Sequence, residues 1–341
     1  MPLPAAPTDG SVLVTGGAGY IGSHAVLALR DAGRRVAVVD TLATGFRWAV
    51  PDDVPFYHGD VADAELIDRI AAEQGVAAIM HFAGSLLVPE SVVKPLDYYR
   101  NNVVATRSLI ESTVRNGIPR FIFSSTAAVY GTPEVVPVTE DAPKSPINPY
   151  GNSKLMTEMM LADVARAHPL SYGILRYFNV AGADPRQRSG QSTRGATHLI
   201  HVAAEAARGL RSEVMVYGTD YDTPDGTGVR DYIHVSDLAA AHVAALDWLE
   251  AHPGESLIAN CGYSRGFSVL EVLDAVDRVT NAKLTRTIAP RRAGDPATLV
   301  ASTTRIRATL DWAPQYDQLE TIVAHALDWE RTLDERGLRP A

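Results

Sequence analysis

Between Ser11 and Phe178, short apolar runs alternate with longer stretches in which apolar positions recur every three or four residues. The runs Ser11–Thr15, Arg35–Asp40, Val54–His58, Ala77–Phe82, Phe121–Ser125 and Ser171–Tyr177 are short and nearly continuous in apolar character, the signature of strands buried on both faces. The stretches Tyr20–Asp31, Asp63–Glu73, Pro89–Asn116 and Pro149–Ala167 carry the helical period and fall between them. Repeated strand–helix–strand units with such strands predict an α/β fold on a doubly wound parallel sheet. After Asn179 the rhythm changes. Gly, Thr, Asp and Pro crowd Ala181–Ser192 and Gly218–Gly228, as in loops around a ligand, and helical periodicity returns at Leu199–Arg208, Ser236–Leu249, Ser268–Val279 and Leu319–Asp334. A chain of 341 residues exceeds one ordinary core. The pattern divides it into a first domain over 11–178 and a region over 179–341 that is mainly a smaller α/β substrate lobe, with some later segments packing back on the first domain.

Composition narrows the partners. A net charge of −9 argues against a nucleic-acid surface, although local arginines remain available to a phosphate. Cys261 is the single cysteine, which excludes an internal disulfide and a cysteine-based metal site, and no metal is expected. The opening residues lack the basic end and apolar core of a signal peptide, and no stretch has the length and apolarity of a membrane span, so the expectation is a cytoplasmic protein.

The candidate chemistry begins at the first predicted strand. Gly16, Gly19 and Gly22 follow it and open a helix. A tight turn requires the first glycine, close approach of a pyrophosphate requires no side chain at the second, and close helix–strand packing requires the third, while the helix N-terminus faces the negative charge. A glycine triplet alone is weak, but the strand–turn–helix setting makes it a dinucleotide site of Rossmann type. The second predicted strand ends at Asp40, 18 residues after Gly22. A carboxylate there accepts the ribose hydroxyls of NAD and repels the extra phosphate of NADP. A turn-capping aspartate is the alternative role. Asp60 and Val61, after the third strand, are placed to flank the adenine, with helix capping as the alternative.

Ser124, Ser125 and Thr126 follow the fifth strand, at the edge where open parallel sheets bind ligands, and Tyr150-Gly151-Asn152-Ser153-Lys154 follows at the start of a helix. The spacing of four sets Tyr150 and Lys154 on one helical face. Lys154 is one of only four lysines in an arginine-rich chain, so its presence at that spacing is informative. Removing hydride from an alcohol carbon requires the hydroxyl proton to leave as well. A free tyrosine with pKa ~10 needs ~4 kcal/mol of preferential phenolate stabilisation to be half ionised near pH 7. A nearby ammonium and a positive nicotinamide ring supply it, and Thr126 can hydrogen-bond the same hydroxyl.

These segments, with His81-Phe82-Ala83-Gly84, Tyr98-Tyr99-Arg100-Asn101-Asn102, Arg176-Tyr177-Phe178-Asn179, Gly226–Val235 and Arg291–Asp295, resemble the extended short-chain dehydrogenase/reductase family, and within it the UDP-glucose 4-epimerases, from about Val12 to Trp312. The resemblance implies tightly bound NAD and epimerisation at C4 of a UDP-hexose through a 4-keto intermediate. It also implies Tyr150, Lys154 and Thr126 as catalytic residues. Cofactor contacts carried over are Gly16, Gly19, Tyr20, Ile21, Gly22, Asp40, Asp60, Val61, Phe82, Ala83, Gly84, Asn101, Tyr150, Lys154 and Phe178. For the UDP-sugar they are Thr126, Asn179, His198, Leu199, Arg230, Arg292, Asp295 and Leu299. Two guanidinium groups on a diphosphate would anchor UDP and leave the sugar free to turn. Relatives are usually homodimers through the helices corresponding to Pro89–Asn116 and Pro149–Ala167, so a homodimer is expected.

Departures from the family pattern matter as well. Ser85 and Leu86 stand where a lysine often touches the cofactor ribose, so NAD would be held less tightly. Thr197-His198-Leu199 replaces Asn-Asn-Leu, which makes His198 a diphosphate donor whose contact would weaken at high pH. Leu299 is intermediate in size at a position that governs acceptance of N-acetylated sugars. The alternative reading is a 4-epimerase of UDP-N-acetylglucosamine, UDP-xylose/UDP-arabinose or UDP-glucuronate. A 4,6-dehydratase would need an acid–base pair where this chain has Ala127 and Ala128, and a non-catalytic NAD sensor would commonly lack the Tyr–Lys pair.

Overall fold

The computed structural model describes residues 10–292 and 295–339. Its strands, in chain order, are β1 (Ser11–Thr15), β2 (Val36–Asp40), β3 (Phe56–His58), β4 (Val76–His81), β5 (Arg120–Ser124), β6 (Ser171–Tyr177), β7 (Asn179–Ala181), β8 (Val214–Tyr217), β9 (Val229–His234), β10 (Leu257–Cys261), β11 (Gly266–Ser268), β12 (Arg286–Ala289) and β13 (Thr298–Leu299). The six strands expected from the apolar runs are all present, and β1 to β6 pair in parallel in the order β6-β5-β4-β1-β2-β3. A seventh, β10, extends this sheet beyond β6 and was not expected. Strand order reverses between β1 and β4, the point at which open α/β sheets receive ligands.

Local chemistry accounts for the helices. Asp63 caps Ala64–Gln74 by accepting from the Leu66 amide, and Gly75 ends that helix in a left-handed conformation. Pro149 opens Pro149–Ala167, where its missing N–H costs nothing, behind the cap of Asn148 on Gly151. One expected helix is corrected. Pro89–Asn116 is not continuous but breaks at Lys94, because Pro95 has no amide to donate and its ring clashes with a continuing helix. The stretch becomes Val88–Val93, Pro95–Tyr99, a π turn at Arg100–Val104, and Ala105–Arg115. Helix residues Ile67, Ile70, Leu109, Ile110 and Leu161 pack on Leu13, Val39, Ile79, Phe121 and Ile174 of the sheet, all buried. Each contributes roughly 1.5–3 kcal/mol of apolar burial.

The chain forms two units. The first comprises residues up to Gly131, Lys144–Arg176 and Ala239–Ala259; the second comprises Thr132–Pro143, Tyr177–Leu238 and the chain from Asn260. The sequence division at 178/179 lies beside one of these crossings, while Thr132–Pro143 and Ala239–Ala259 each join the unit that their position in the chain would not suggest. In the second unit β9 lies between β11 and β13 and also pairs with β7, while β12 pairs with β8. Its sheet is held by Asp231, fully buried, which accepts from the amides of Tyr263, Ser264 and Ala301. No helix among the described residues is long and apolar enough to cross a membrane, and no metal-binding cluster of three His, Cys, Asp or Glu occurs among them.

Candidate active site

Three glycines shape the turn after β1. Gly16 has φ +69°, and a Cβ there would lie 2.6 Å from the Ala83 amide nitrogen, so both backbone conformation and the neighbouring loop demand glycine. A Cβ on Gly22 would fall on the Gly16 carbonyl, which lets the Tyr20–Asp31 helix sit directly against the turn. Gly19 differs: an added Cβ would meet only the Gly16 oxygen, at 3.3 Å. Its free side opens at the start of a helix that has no side-chain cap, which is the surface a pyrophosphate requires. Tyr20 and Ile21, in the first helical turn, are half-buried.

Asp40, at the end of β2, is 8% exposed. One carboxylate oxygen accepts from the Ala18 amide at 2.9 Å and the other from the Leu42 amide at 2.7 Å. The turn-capping role leaves acceptor sites for a ribose, since a carboxylate has about four and these amides take two. Burial raises its pKa above the usual carboxylate range, against the two amides. Asp60 is exposed and accepts from the Ala62 amide, whereas the Val61 side chain belongs to the hydrophobic core.

Phe82, Ala83 and Gly84 leave β4 alongside the glycine turn, and the Phe82 amide donates to the Thr15 carbonyl. Asn102 ties this loop down. Its carbonyl oxygen accepts from the Ser85 amide at 2.7 Å, while its amide donates to the Ser85 carbonyl and to Ser153 Oγ, each at 3.0 Å. Ser153 Oγ in turn donates to the Tyr150 carbonyl at 2.7 Å. Asn101, the residue expected to touch cofactor, is exposed and donates to Ser85 Oγ at 2.9 Å. Below the loop, buried His81 bridges Thr15 and Thr106 through its two ring nitrogens, at 2.6 and 2.9 Å. Burial, assisted by the Lys154 charge, lowers its pKa to about 3, so it is neutral.

Tyr150, 8% exposed, lies in the first turn of the Pro149–Ala167 helix, with its ring edge-on to Tyr98 at 6.5 Å. Lys154, 6% exposed, donates from Nζ to the Ser124 carbonyl at 3.0 Å. That ammonium is 5.9 Å from the centre of the Tyr150 ring and 4.9 Å from that of Phe123. Burial lowers its pKa to about 8, with the negative charge of Glu158 opposing the shift. Thr126 starts the short turn Ala127–Tyr130, and its Oγ1 accepts from the Ala128 amide at 3.2 Å.

The second unit holds the expected substrate residues other than Thr126. On β9, Arg230 donates to the Val229 carbonyl at 2.8 Å and lies 3.7 Å from Asp295; Leu299 of β13 is its register partner. Arg292 is exposed, with its guanidinium carbon 3.8 Å from the centre of the Tyr217 ring, and its carbonyl accepts from the Asp295 amide at 3.3 Å. Asp295 thus links the two arginines. Phe178 is buried, and Asn179 pairs with Tyr232 across β7 and β9. His198 and Leu199 stand at the start of the Leu199–Ala207 helix. Gln191 fixes the His198 tautomer. Its carbonyl oxygen accepts from the Thr193 amide, so its Nε2 donates to His198 Nδ1 at 3.2 Å and leaves the proton on Nε2. Burial and the nearby His201 lower the His198 pKa to about 4. The expected weakening at high pH is therefore corrected: a ring already neutral at pH 6 donates equally well at pH 9.

Residues 12–262 match the family described as "NAD dependent epimerase/dehydratase family". The UDP-glucose 4-epimerase of Azospirillum brasilense is 58% identical over 95% of this chain and 93% of its own length. The solved structure of UDP-glucose 4-epimerase from Brucella ovis in complex with NAD superposes with a TM-score of 0.90 at 42% identity, covering 94% of this chain and 98% of that one. The Bifidobacterium longum UDP-glucose 4-epimerase, solved in complex with NAD+ and UDP, also has a TM-score of 0.90, at 39% identity and the same coverages. This chain belongs to the NAD dependent epimerase/dehydratase family. Its cofactor is NAD, and the open side of Gly19 with the Asp40 carboxylate is the cradle that suits it. Ala127 and Ala128, buried and half-buried, offer no acid or base to a dehydratase of this family.

Sequence reasoning passed over two further groups in this family site. Asn102 is 3% exposed and joins the loop at Ser85 to the Pro149–Ala167 helix at Ser153, yet in the sequence it is one of two adjacent asparagines, and nothing in spacing says which turns inward. Glu158 and Arg176 form a buried pair at 2.6 Å, from positions that look like an ordinary helix surface and a strand residue. The spacing of four from Lys154 to Glu158 was the one available signal.

Proposed function

We propose that this chain is a UDP-glucose 4-epimerase, interconverting UDP-glucose and UDP-galactose through a transient 4-keto sugar. The observation that carries the reading is the buried Lys154 ammonium, anchored on the Ser124 carbonyl and 5.9 Å from the Tyr150 ring centre. NAD, when bound, would supply a reversible hydride acceptor for the sugar C4 and a positive charge that favours the phenolate. Tyr150 takes the proton of the 4-hydroxyl, and Thr126 hydrogen-bonds the same oxygen and relays its proton. At ~6 Å and an effective dielectric constant of ~20, one ammonium attracts a phenolate by roughly 3 kcal/mol, most of the ~4 kcal/mol that ionisation near neutrality requires. Arg230 and Arg292 grip the diphosphate, assisted by Nε2–H of neutral His198, while Leu299 bounds the sugar. An anchored UDP leaves the ketose free to present its other face, and Tyr150 then returns the proton.

The test is to incubate the purified protein with UDP-glucose without added cofactor and read the configuration at C4 by NMR. UDP-galactose is expected. Parallel incubations with UDP-N-acetylglucosamine, UDP-xylose and UDP-glucuronate complete it; turnover of one of these with none of UDP-glucose would overturn the substrate assignment.

The same reading makes the second unit the substrate lobe and places the enzyme in galactose metabolism in the cytoplasm, as its single buried cysteine suits. It also makes the protein a homodimer. Val92, Val93, Leu96 and Val104 on the broken helix, with Met156 and Met159 on Pro149–Ala167, expose apolar side chains, Leu96 at 78%. Light scattering that returned a monomer at working concentration would remove the dimer.

A further inference from the structure

Beside the catalytic pair lies a set of polar groups that the reaction as described does not use. Glu158 follows Lys154 by one helical turn and is 5% exposed; Arg176 of β6 is 2% exposed. Arg176 donates to the Glu158 carboxylate from Nε at 2.9 Å and from Nη2 at 2.6 Å, and from Nη1 to Tyr130 Oη at 2.9 Å. Ser125 Oγ donates to the same carboxylate at 2.6 Å. Ser125 sits between Ser124, whose carbonyl receives the Lys154 ammonium, and Thr126, whose hydroxyl the proposed reaction assigns to the substrate. A buried ion pair seldom stabilises a fold more than apolar residues of equal volume, so its place beside a catalytic cation asks for another role.

The groups facing Lys154 are Tyr150 and Glu158 on its own helix, His81 from β4, and the Phe123 ring and Ser124 carbonyl from β5. Those facing Glu158 are Lys154, Arg176 and Tyr172 from β6, Ser125 from β5, and Tyr130 through Arg176. His81 is neutral, and Glu158 is the acid whose charge favours the protonated lysine.

We infer that Glu158 is a positioning residue for the catalytic ammonium: its carboxylate, held by Arg176, keeps Lys154 protonated in a dry site and, through Ser125, holds the Ser124–Thr126 segment in register with it. The inference rests on the reading of Tyr150 and Lys154 as the catalytic pair. With four lysines in the chain, the test is direct. The Lys154 signal of holoenzyme carrying 13C at lysine Cε, identified by its loss in Lys154→Met, is titrated by NMR, and the kcat–pH profile on UDP-glucose is measured alongside. In Glu158→Gln both the NMR midpoint and the alkaline limb are expected to fall by about half a unit to one unit. Ser125→Ala is expected to leave the midpoint in place and lower kcat about tenfold at every pH, through loss of alignment alone. An unmoved Lys154 midpoint in folded Glu158→Gln overturns the inference. Should that variant not fold, as judged by circular dichroism, the double variant Glu158→Gln/Arg176→Met carries the test, with a smaller shift in the same direction expected and an unmoved midpoint again fatal. The NMR titration needs no substrate, so a wild-type chain inactive on UDP-glucose would overturn the proposed function and leave the lysine measurement readable.

Discussion

Lys154 and Arg292 are cations assigned to one reaction, and their units treat them in opposite ways. The first unit buries Lys154, anchors it on a carbonyl and depresses its pKa from 10.5 to about 8, a destabilisation of the charged form worth about 3 kcal/mol. The second unit leaves Arg292 exposed, resting on the Tyr217 ring, and lets Arg230 lean on a backbone carbonyl and Asp295. A charge that must act on a developing phenolate has to be desolvated and aimed beforehand, since reorganisation during the reaction would add to the barrier. A charge that only holds a diphosphate can remain solvated until the ligand supplies its partner. Catalytic groups should therefore govern kcat and binding groups KM, and each mutation tests that division.

The largest effect is expected from Tyr150→Phe. Removing the Tyr150 phenol oxygen should lower kcat by ~10²–10⁴-fold with NAD still bound, read by turnover and by cofactor content; near-wild-type turnover would erase the contrast. Arg292→Ala comes next and in the other parameter. Loss of charge-assisted hydrogen bonds worth ~1.5–3 kcal/mol should raise KM for UDP-glucose by roughly 10–100-fold with kcat little changed. A fall in kcat with constant KM would assign this arginine to the chemistry. The pH profile sharpens the comparison further. The Lys154 pKa is lowered by burial to about 8 and the ammonium is the active form, so kcat should hold below that pH and decline about tenfold per unit well above it. A flat profile to pH 10 would deny Lys154 the role. The smallest effect concerns His198. Its pKa of about 4 keeps it neutral across pH 6–9, so KM should not drift over that range through this residue, and His198→Asn should behave the same way. A KM that rises between pH 6 and 8 in the wild type and not in the variant would show that the ring titrates after all.

The parts of the site legible in the chain are those whose chemistry is local. The glycine turn, Asp40 eighteen residues on, and the Tyr150–Lys154 spacing each report one backbone segment, and the structure places each where the strand–turn–helix logic requires. The break at Lys94-Pro95 is equally local, since the proline alone marks it. Asn102, the Glu158–Arg176 pair, the Gln191–His198 contact and the Asp295 link between two arginines were hidden for a different reason. Asn102 and the Glu158–Arg176 pair depend on which polar side chains are turned inward by packing between separate segments, and the Gln191–His198 and Asp295 contacts on loop conformations that spacing does not specify.

Periodicity and spacing alone were sufficient for the parallel sheet, the dinucleotide turn and the placing of Tyr150 and Lys154 on one helical face, because the pattern that signals each lies within short segments of the chain. The ionisation state of Lys154, the tautomer of His198, the seventh strand and the assignment of Thr132–Pro143 and Ala239–Ala259 to their units depend on burial and on which side chains and segments the folded chain brings together. Desolvation and long-range hydrogen bonding are properties of the folded arrangement, and they come into being only when the chain has closed on itself.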